Sequence, residues 1–424
     1  MPLKIQNARL SDRPGLWQIG IAQGRIIELL EAKAEVEKAE TGGQPAENII
    51  DAAGKLVIPG LVDAHIHLDK ALLLQRQPAQ TGDFAEAMRE TLRLKQAFTI
   101  EDIQSRARRV IEQAIGLGIT AMRSHVEVDP TVGLVGMEAL LPLQQDYAWG
   151  ITIQLAVFAQ EGMTQQPETI HLLRQALKMG GNAIGSAPYV DPDPERNVQM
   201  IFDLAEEFNC DVDFHLDFLD DDRPLLLPFV IQATIDRGWQ GRVCLGHMTK
   251  LAGLPPDELR SIAADLQSAG ISILALPASD LYMMARQDTH NVRRGVAPIH
   301  QLANWGVNVG VATNNVQNLF TPFGDGDVLK ICTLLAQVLH LGTATDHQRC
   351  LQMATSQAAT AIGMTDYGLT VGKPADLVIL GATDATEAIA AAPIDRTVIK
   401  RGRVVAQTQV DRFLRPPIQP DPQQ

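Results

Sequence analysis

The feature that most constrains the fold is an alternation. Apolar, β-branched runs recur at 56–67, 119–128, 151–160, 182–190, 211–218, 242–248, 271–277 and 307–313, and helical patterns separate most of them, at 84–97, 102–116, 167–179, 196–208, 224–237, 256–268 and 298–305. Strands joined through helices form parallel sheets with right-handed crossovers, and eight such units are the number that closes a (β/α)8 barrel. An open doubly wound sheet is the competing α/β arrangement, but its usual mark, a GxGxxG after the first strand, is missing. Both chain ends have a different texture. KIQNARL, LWQIGIAQ and GRIIELL near the start, and ADLVILG and RTVIKRGRVVAQ near the end, read as short strands split by turn residues. The expected fold is therefore α/β: a TIM barrel over 59–365 and a small β-sandwich domain formed by both chain ends, 1–58 and 366–424. Within those ends, 31–47 reads as a long polar loop and PPIQPDPQQ as a loose tail.

Composition narrows the function. A net charge of −14 opposes a phosphate-binding surface, so nucleic acid is not an expected partner. No run approaches the roughly 20 apolar residues of a membrane span, and MPLKIQNARLSDRPGLW lacks the parts of a signal peptide, so a cytoplasmic protein without a membrane partner is expected. The 4 cysteines form no CxxC, which leaves His and carboxylate as the available metal ligands. A small-molecule substrate fits these limits, and a homo-oligomer is compatible with them.

Of 10 histidines, five fall in or at the ends of expected strands: His65, His67, His125, His215 and His247. The C-terminal strand ends form the active face of a barrel, so these five converge although distant in sequence. His65 and His67 share a strand face as a chelating pair, and with His215 they suit Zn²⁺ or Fe²⁺. His125 reads equally well as a hydrogen-bonded core residue. Asp217, two residues after His215, is placed on the same face as a ligand, a ligand orienter or a general acid/base. Gln160, ending the third strand, suits recognition of an amide or heterocycle edge, or a backbone cap. Asp220–Asp222 reads as solvated loop, and Asp325 and Asp327 as helix caps.

VIPGLVDAHIHLDKALL resembles the first barrel strand of the amidohydrolase superfamily, and RSHVEVD, QLAVFAQEG, FHLDF, LGHMTK, TPFGDGD and GLTVGKPADLVIL follow in matching order. Together they are similar to the cytosine deaminase and N-isopropylammelide amidohydrolase-like branch over nearly the whole chain. The resemblance implies a divalent metal, Zn or Fe with Mn as a further option, held by His65, His67 and His215. It implies that His247 faces water or substrate and that Gln160 reads the substrate edge. Two positions depart: Phe218 stands where that branch has a proton-shuttling Glu, and Asn314 where it has a metal-ligating Asp. Asn314 is then a neutral, weaker or outer ligand, Phe218 an apolar substrate wall, and Asp217 and His247 are the remaining proton-transfer candidates. The expected function is a metal-dependent hydrolase cleaving a C–N bond of a small cyclic or amidine-like compound, by deamination or amine release. The alternative is a catalytically impaired or metal-poor binding protein of the same fold, motivated by Phe218 and Asn314.

Overall fold

The computed structural model describes residues 2–32, 48–218 and 220–415. The expected 31–47 loop, apart from its first two residues, and the tail after 415 lie outside them. Eight parallel strands run in sequence order around one sheet: Leu61–Ile66, Ile119–Glu127, Thr152–Ala159, Ala183–Ser186, Asp211–Leu216, Val243–His247, Ser272–Ala275 and Val309–Val311. Between the first and last strand the ladder shrinks to a single bridge, Ile66 to Asn314. There the Asn314 N–H donates to the His65 carbonyl at 2.8 Å, and the His67 N–H to the Asn314 carbonyl at 2.9 Å. One residue earlier, Asp63 spans the same seam, accepting from the Thr313 N–H at 3.0 Å and its hydroxyl at 2.5 Å. Burial pushes the Asp63 carboxyl up to about 7, against the pull of those Thr313 bonds.

The two chain ends share a second, mixed sheet of eight strands. Leu56–Pro59 lies at its centre, antiparallel to Leu377–Leu380 and parallel to Leu3–Leu10. The run at 56–67 is thus two strands, because Gly60 turns the chain from this sheet into the barrel. A Cβ on Gly60 would run into the Thr120 side chain, which is itself buried. A buried bidentate pair ties the terminal sheet to the barrel: Arg396 of Arg396–Lys400 donates to both Asp327 oxygens at 2.9 and 2.7 Å. Asp327 also caps Val328–Leu339 by accepting from the Leu329 N–H, as the sequence implied.

Several boundaries differ from expectation. The run at 182–190 yields only Ala183–Ser186, since Pro188 opens a short 3-10 turn, and 307–313 yields only Val309–Val311. A helix at Val135–Asp146 completes the alternation. Its pattern is obscured in the sequence by Gly136 and by Pro142 inside it. Among the described residues no helix is long and apolar enough to cross a membrane.

Gly60→Ala is expected to destabilise the protein by about 1–3 kcal/mol through overpacking, with part of the loss recovered by Thr120→Ala. Urea melts of the two single variants and the double variant measure both effects.

Candidate active site

The seam between the first and eighth strands places two histidines on one side of the barrel mouth. The Asn314 backbone bonds flank His65 and His67, and the side chains of both reach His215. His215 meets them from the end of the fifth strand: its Nε2 lies 3.1 Å from His65 Nε2 and 3.1 Å from His67 Nε2. All three rings are buried, and burial, followed by neighbouring imidazoles and, for His65 and His67, the Lys70 ammonium, holds their pKa values well below 6.5. The rings are therefore neutral, the form that ligates metal. Gly246 on the sixth strand leaves room for the His65 ring, since a Cβ there would stand 3.0 Å from its Cε1.

Three neutral imidazole nitrogens at this spacing cannot all satisfy one another with a shared hydrogen. One cation can, because tetrahedral bonds of about 2.0–2.1 Å put neighbouring ligand nitrogens a little over 3 Å apart. The donor set also leaves a buried acceptor unused. Asn314 Nδ2 donates to Ser279 Oγ at 2.8 Å, which fixes the amide and leaves its Oδ1 unpaired. The Ser279 hydroxyl in turn pairs with Thr321 Oγ1 at 2.5 Å. His65, His67 and His215, with the Asn314 carbonyl facing the same cavity, thus fit a divalent ion.

The facing wall holds His247. Its Nδ1 lies 2.7 Å from Asp280 Oδ1, and the second Asp280 oxygen accepts from the Leu276 N–H at 3.1 Å. Burial raises the Asp280 carboxyl while the His247 contact pulls it back. Asp280 accepts the Nδ1 proton, so the other ring nitrogen is left for the cavity. His247 has φ +72 and Met248 φ +54, a costly pair of left-handed residues that the surrounding strand ends must enforce. The Phe218 ring packs on His247 with centroids 4.1 Å apart. Gln160 and Tyr189 line the same pocket. These residues line one narrow pocket of about 20 Å³, with His67, His215, His247, Gln160, Phe218 and Asn314 among its walls, room for a water-sized body.

Every sequence-proposed site residue except His65 and Asp217 lines this cavity, and His65 touches His215 just beneath it. Asp217 requires a correction. The fifth strand ends at Leu216, and Asp217 takes φ +45, so the two-residue alternation stops before it. Its carboxylate accepts from the Leu226 and Leu227 N–H groups at 3.0 and 3.1 Å, at the start of Leu227–Asp236. It holds a helix end rather than a proton for substrate. His125 is buried beside the His65–His67 pair: its ring lies 3.9 Å from that of His65, its Nε2 is 3.2 Å from Asp213, which also pairs with Arg123 at 3.0 Å, and neither ring nitrogen has a hydrogen-bond partner among the described residues, so the two readings of this residue stay open. Sequence reasoning missed Asp280, Ser279 and Lys70. Lys70 was visible in HIHLDK; Ser279 and Asp280 sit on Pro277–Met283, a short helix just beyond the apolar run at 271–277, where the sequence pattern assigned no element.

An eight-stranded parallel barrel, with two histidines on the first strand, one on the fifth and one on the sixth, defines a class of metal-dependent hydrolase folds. The chain belongs to the amidohydrolase family, whose model matches residues 56–405. It is 31% identical to the N-isopropylammelide isopropyl amidohydrolase of Pseudomonas sp. (strain ADP), over 96% of this chain and 98% of that protein. It is 27% identical to the pterin deaminase of Rhizobium rhizogenes (strain K84 / ATCC BAA-868), over 93% of this chain and 88% of that one. The crystal structure of 5-methylcytosine deaminase from Klebsiella pneumoniae, liganded with 5-fluorocytosine, matches with a TM-score of 0.90 at 30% identity, covering 97% of this chain and 99% of that chain.

Zinc added to chelator-treated protein is expected to raise its melting temperature with a stoichiometry near one, and His215→Ala to weaken zinc binding and shrink the rise. Calorimetric titration with differential scanning calorimetry checks both.

Proposed function

We propose that the protein is a metal-dependent hydrolase that cleaves a C–N bond of a small heterocycle, releasing ammonia or an amine. The observation that carries this reading is the convergence of the buried, neutral His65 and His67 imidazole nitrogens on that of His215, at the floor of a cavity that His247, backed by Asp280, also lines. A divalent cation on His65, His67 and His215, zinc or iron by ligand preference, supplies positive charge that makes water acidic near neutral pH. The proton work falls to His247. With Nδ1 held by Asp280, its Nε2 takes a proton from water and returns it to the departing nitrogen. Asn314 cannot accept that proton, and its unpaired Oδ1 is a neutral, weaker or outer ligand beside the three histidines. Gln160 reads the polar edge of the ring, and Phe218 meets an uncharged part of the substrate. Relatives named for triazine, pterin and pyrimidine substrates support a planar nitrogen heterocycle as the substrate class.

The cavity positions of Phe218 and Asn314 favour one other reading, a binding protein without turnover. Asn314→Asp separates the two. It is expected to tighten metal binding in both cases, but to lower amine release if Asn314 belongs to a working mechanism and to create it if the site is silent.

Ammonia and amine release from aminopyrimidines, aminotriazines and pterins by metal-loaded protein tests the proposal, and release from none of them overturns it. Asp280→Asn is expected to lower kcat by about 10–100-fold with little change in KM, because it disturbs the tautomer of His247 rather than a substrate contact.

A further inference from the structure

The two departures at Phe218 and Asn314 change the charge of the cavity as well as its chemistry. No Asp or Glu lines it among the described residues, and its one ammonium is Lys70. Lys70 lies four residues beyond the first strand, almost fully buried, with Nζ 2.5 Å from Glu127 Oε1 and 4.7 Å from the centre of the Phe320 ring. An ammonium has three donors. Glu127 is its one hydrogen-bond acceptor among the described residues, so N–H groups remain for a ligand in the cavity.

The carboxyl groups behind Lys70 are already engaged. Glu127 also pairs with Lys95 at 2.8 Å, and Lys95 reaches Asp129 at 2.7 Å and the Glu161 carboxylate group. Burial opposes ionisation of Glu127, but the two ammonium groups hold its pKa down at about 2. Burial and the neighbouring Glu127 push the Glu161 carboxyl up to about 8. Asp69, also buried, accepts from the Lys70 and Glu127 N–H groups, so Glu127, Asp129, Glu161 and Asp69 all pack around Lys70 and Lys95. Asp280, the carboxylate behind His247, is taken by that ring and the Leu276 N–H. No carboxylate among the described residues lining the cavity stands ready to neutralise a divalent ion on three neutral histidines. In a buried cavity of low dielectric, the missing negative charge is best supplied by the ligand.

We infer that Lys70 is an anion-recognising residue of this cavity, and that its ligand is an acidic oxo-heterocycle that enters with an ionised N–C=O group. The oxygen of that group accepts from Lys70, and the polar ring edge pairs with Gln160. Lys70 is a specificity residue for the substrate of the hydrolase reading, on which the inference rests for its reaction but not for its binding.

Barbiturate and uracil separate charge from shape: both are oxo-pyrimidines, and near neutral pH the first is an anion and the second is neutral. Zinc-loaded protein is expected to bind barbiturate at least about tenfold more tightly than uracil by isothermal titration calorimetry. Lys70→Met should erase that preference and Lys70→Arg should keep most of it. If Lys70→Met folds poorly with Glu127 unpaired, Lys70→Met combined with Glu127→Gln removes both charges and should show the same loss. Equal binding of the two ligands, or a barbiturate preference that survives both methionine variants, overturns the inference and leaves the hydrolase reading intact. Amine release from a neutral heterocycle by protein that binds no barbiturate has the same consequence. Absence of both heterocycle binding and amine release overturns the two together.

Discussion

The site depends on how the barrel closes. Seven of its eight strand junctions are ladders, while the eighth is one bridge whose two hydrogen bonds run from the Asn314 backbone to His65 and His67. The contacts that shut the fold therefore also set the spacing of the chelating pair. Asn314 sits there with φ +62, a conformation that asparagine tolerates better than most residues. Its side chain, anchored on Ser279, directs a carbonyl oxygen to the cavity while its backbone holds the seam. Asp63 supports the junction from below through Thr313. Closure and ligand geometry cannot be varied independently in this chain.

Beneath the histidines the barrel interior is ionic. Arg123 pairs with Asp213, Asp213 with His125, and the His125 ring lies against His65. Arg123 also donates to the Ile362 carbonyl at 3.0 Å, just beyond the helix Ser356–Ala361 at the barrel floor. A buried ion pair adds little net stability compared with apolar packing, yet removing one partner costs about 3–5 kcal/mol. The layer thus acts as a stiff support: His65 cannot shift without disturbing a charge that has no route to water. On the opposite side of the cavity the same economy of charge holds, with Glu127 and Asp280 each bonded to a group that faces the substrate space.

The barrel was legible because parallel strands are buried on both faces and appear as continuous apolar runs, and the Ile119–Glu127 strand is buried along its whole length. The histidines were legible because they interrupt those runs. What the sequence hid was direction. Alternation placed Asp217 beside His215, but the backbone leaves β geometry one residue earlier and the carboxylate turns to Leu226 and Leu227. Asp280 reaches His247 across 33 residues from a short helix that Pro277 opens, a contact no local pattern encodes. The side chain of Lys70 could have turned to solvent or to the cavity, and only the packing of Glu127 and Phe320 decides which.

The central claim is that His65, His67 and His215 together hold one catalytic cation. X-ray absorption at the metal edge of protein loaded with one equivalent of zinc tests it most directly. The account predicts scattering from three imidazoles at about 2.0–2.1 Å, completed by oxygen, with one imidazole lost in His215→Ala. A spectrum of oxygen ligands alone, or one unchanged by His215→Ala, would contradict it.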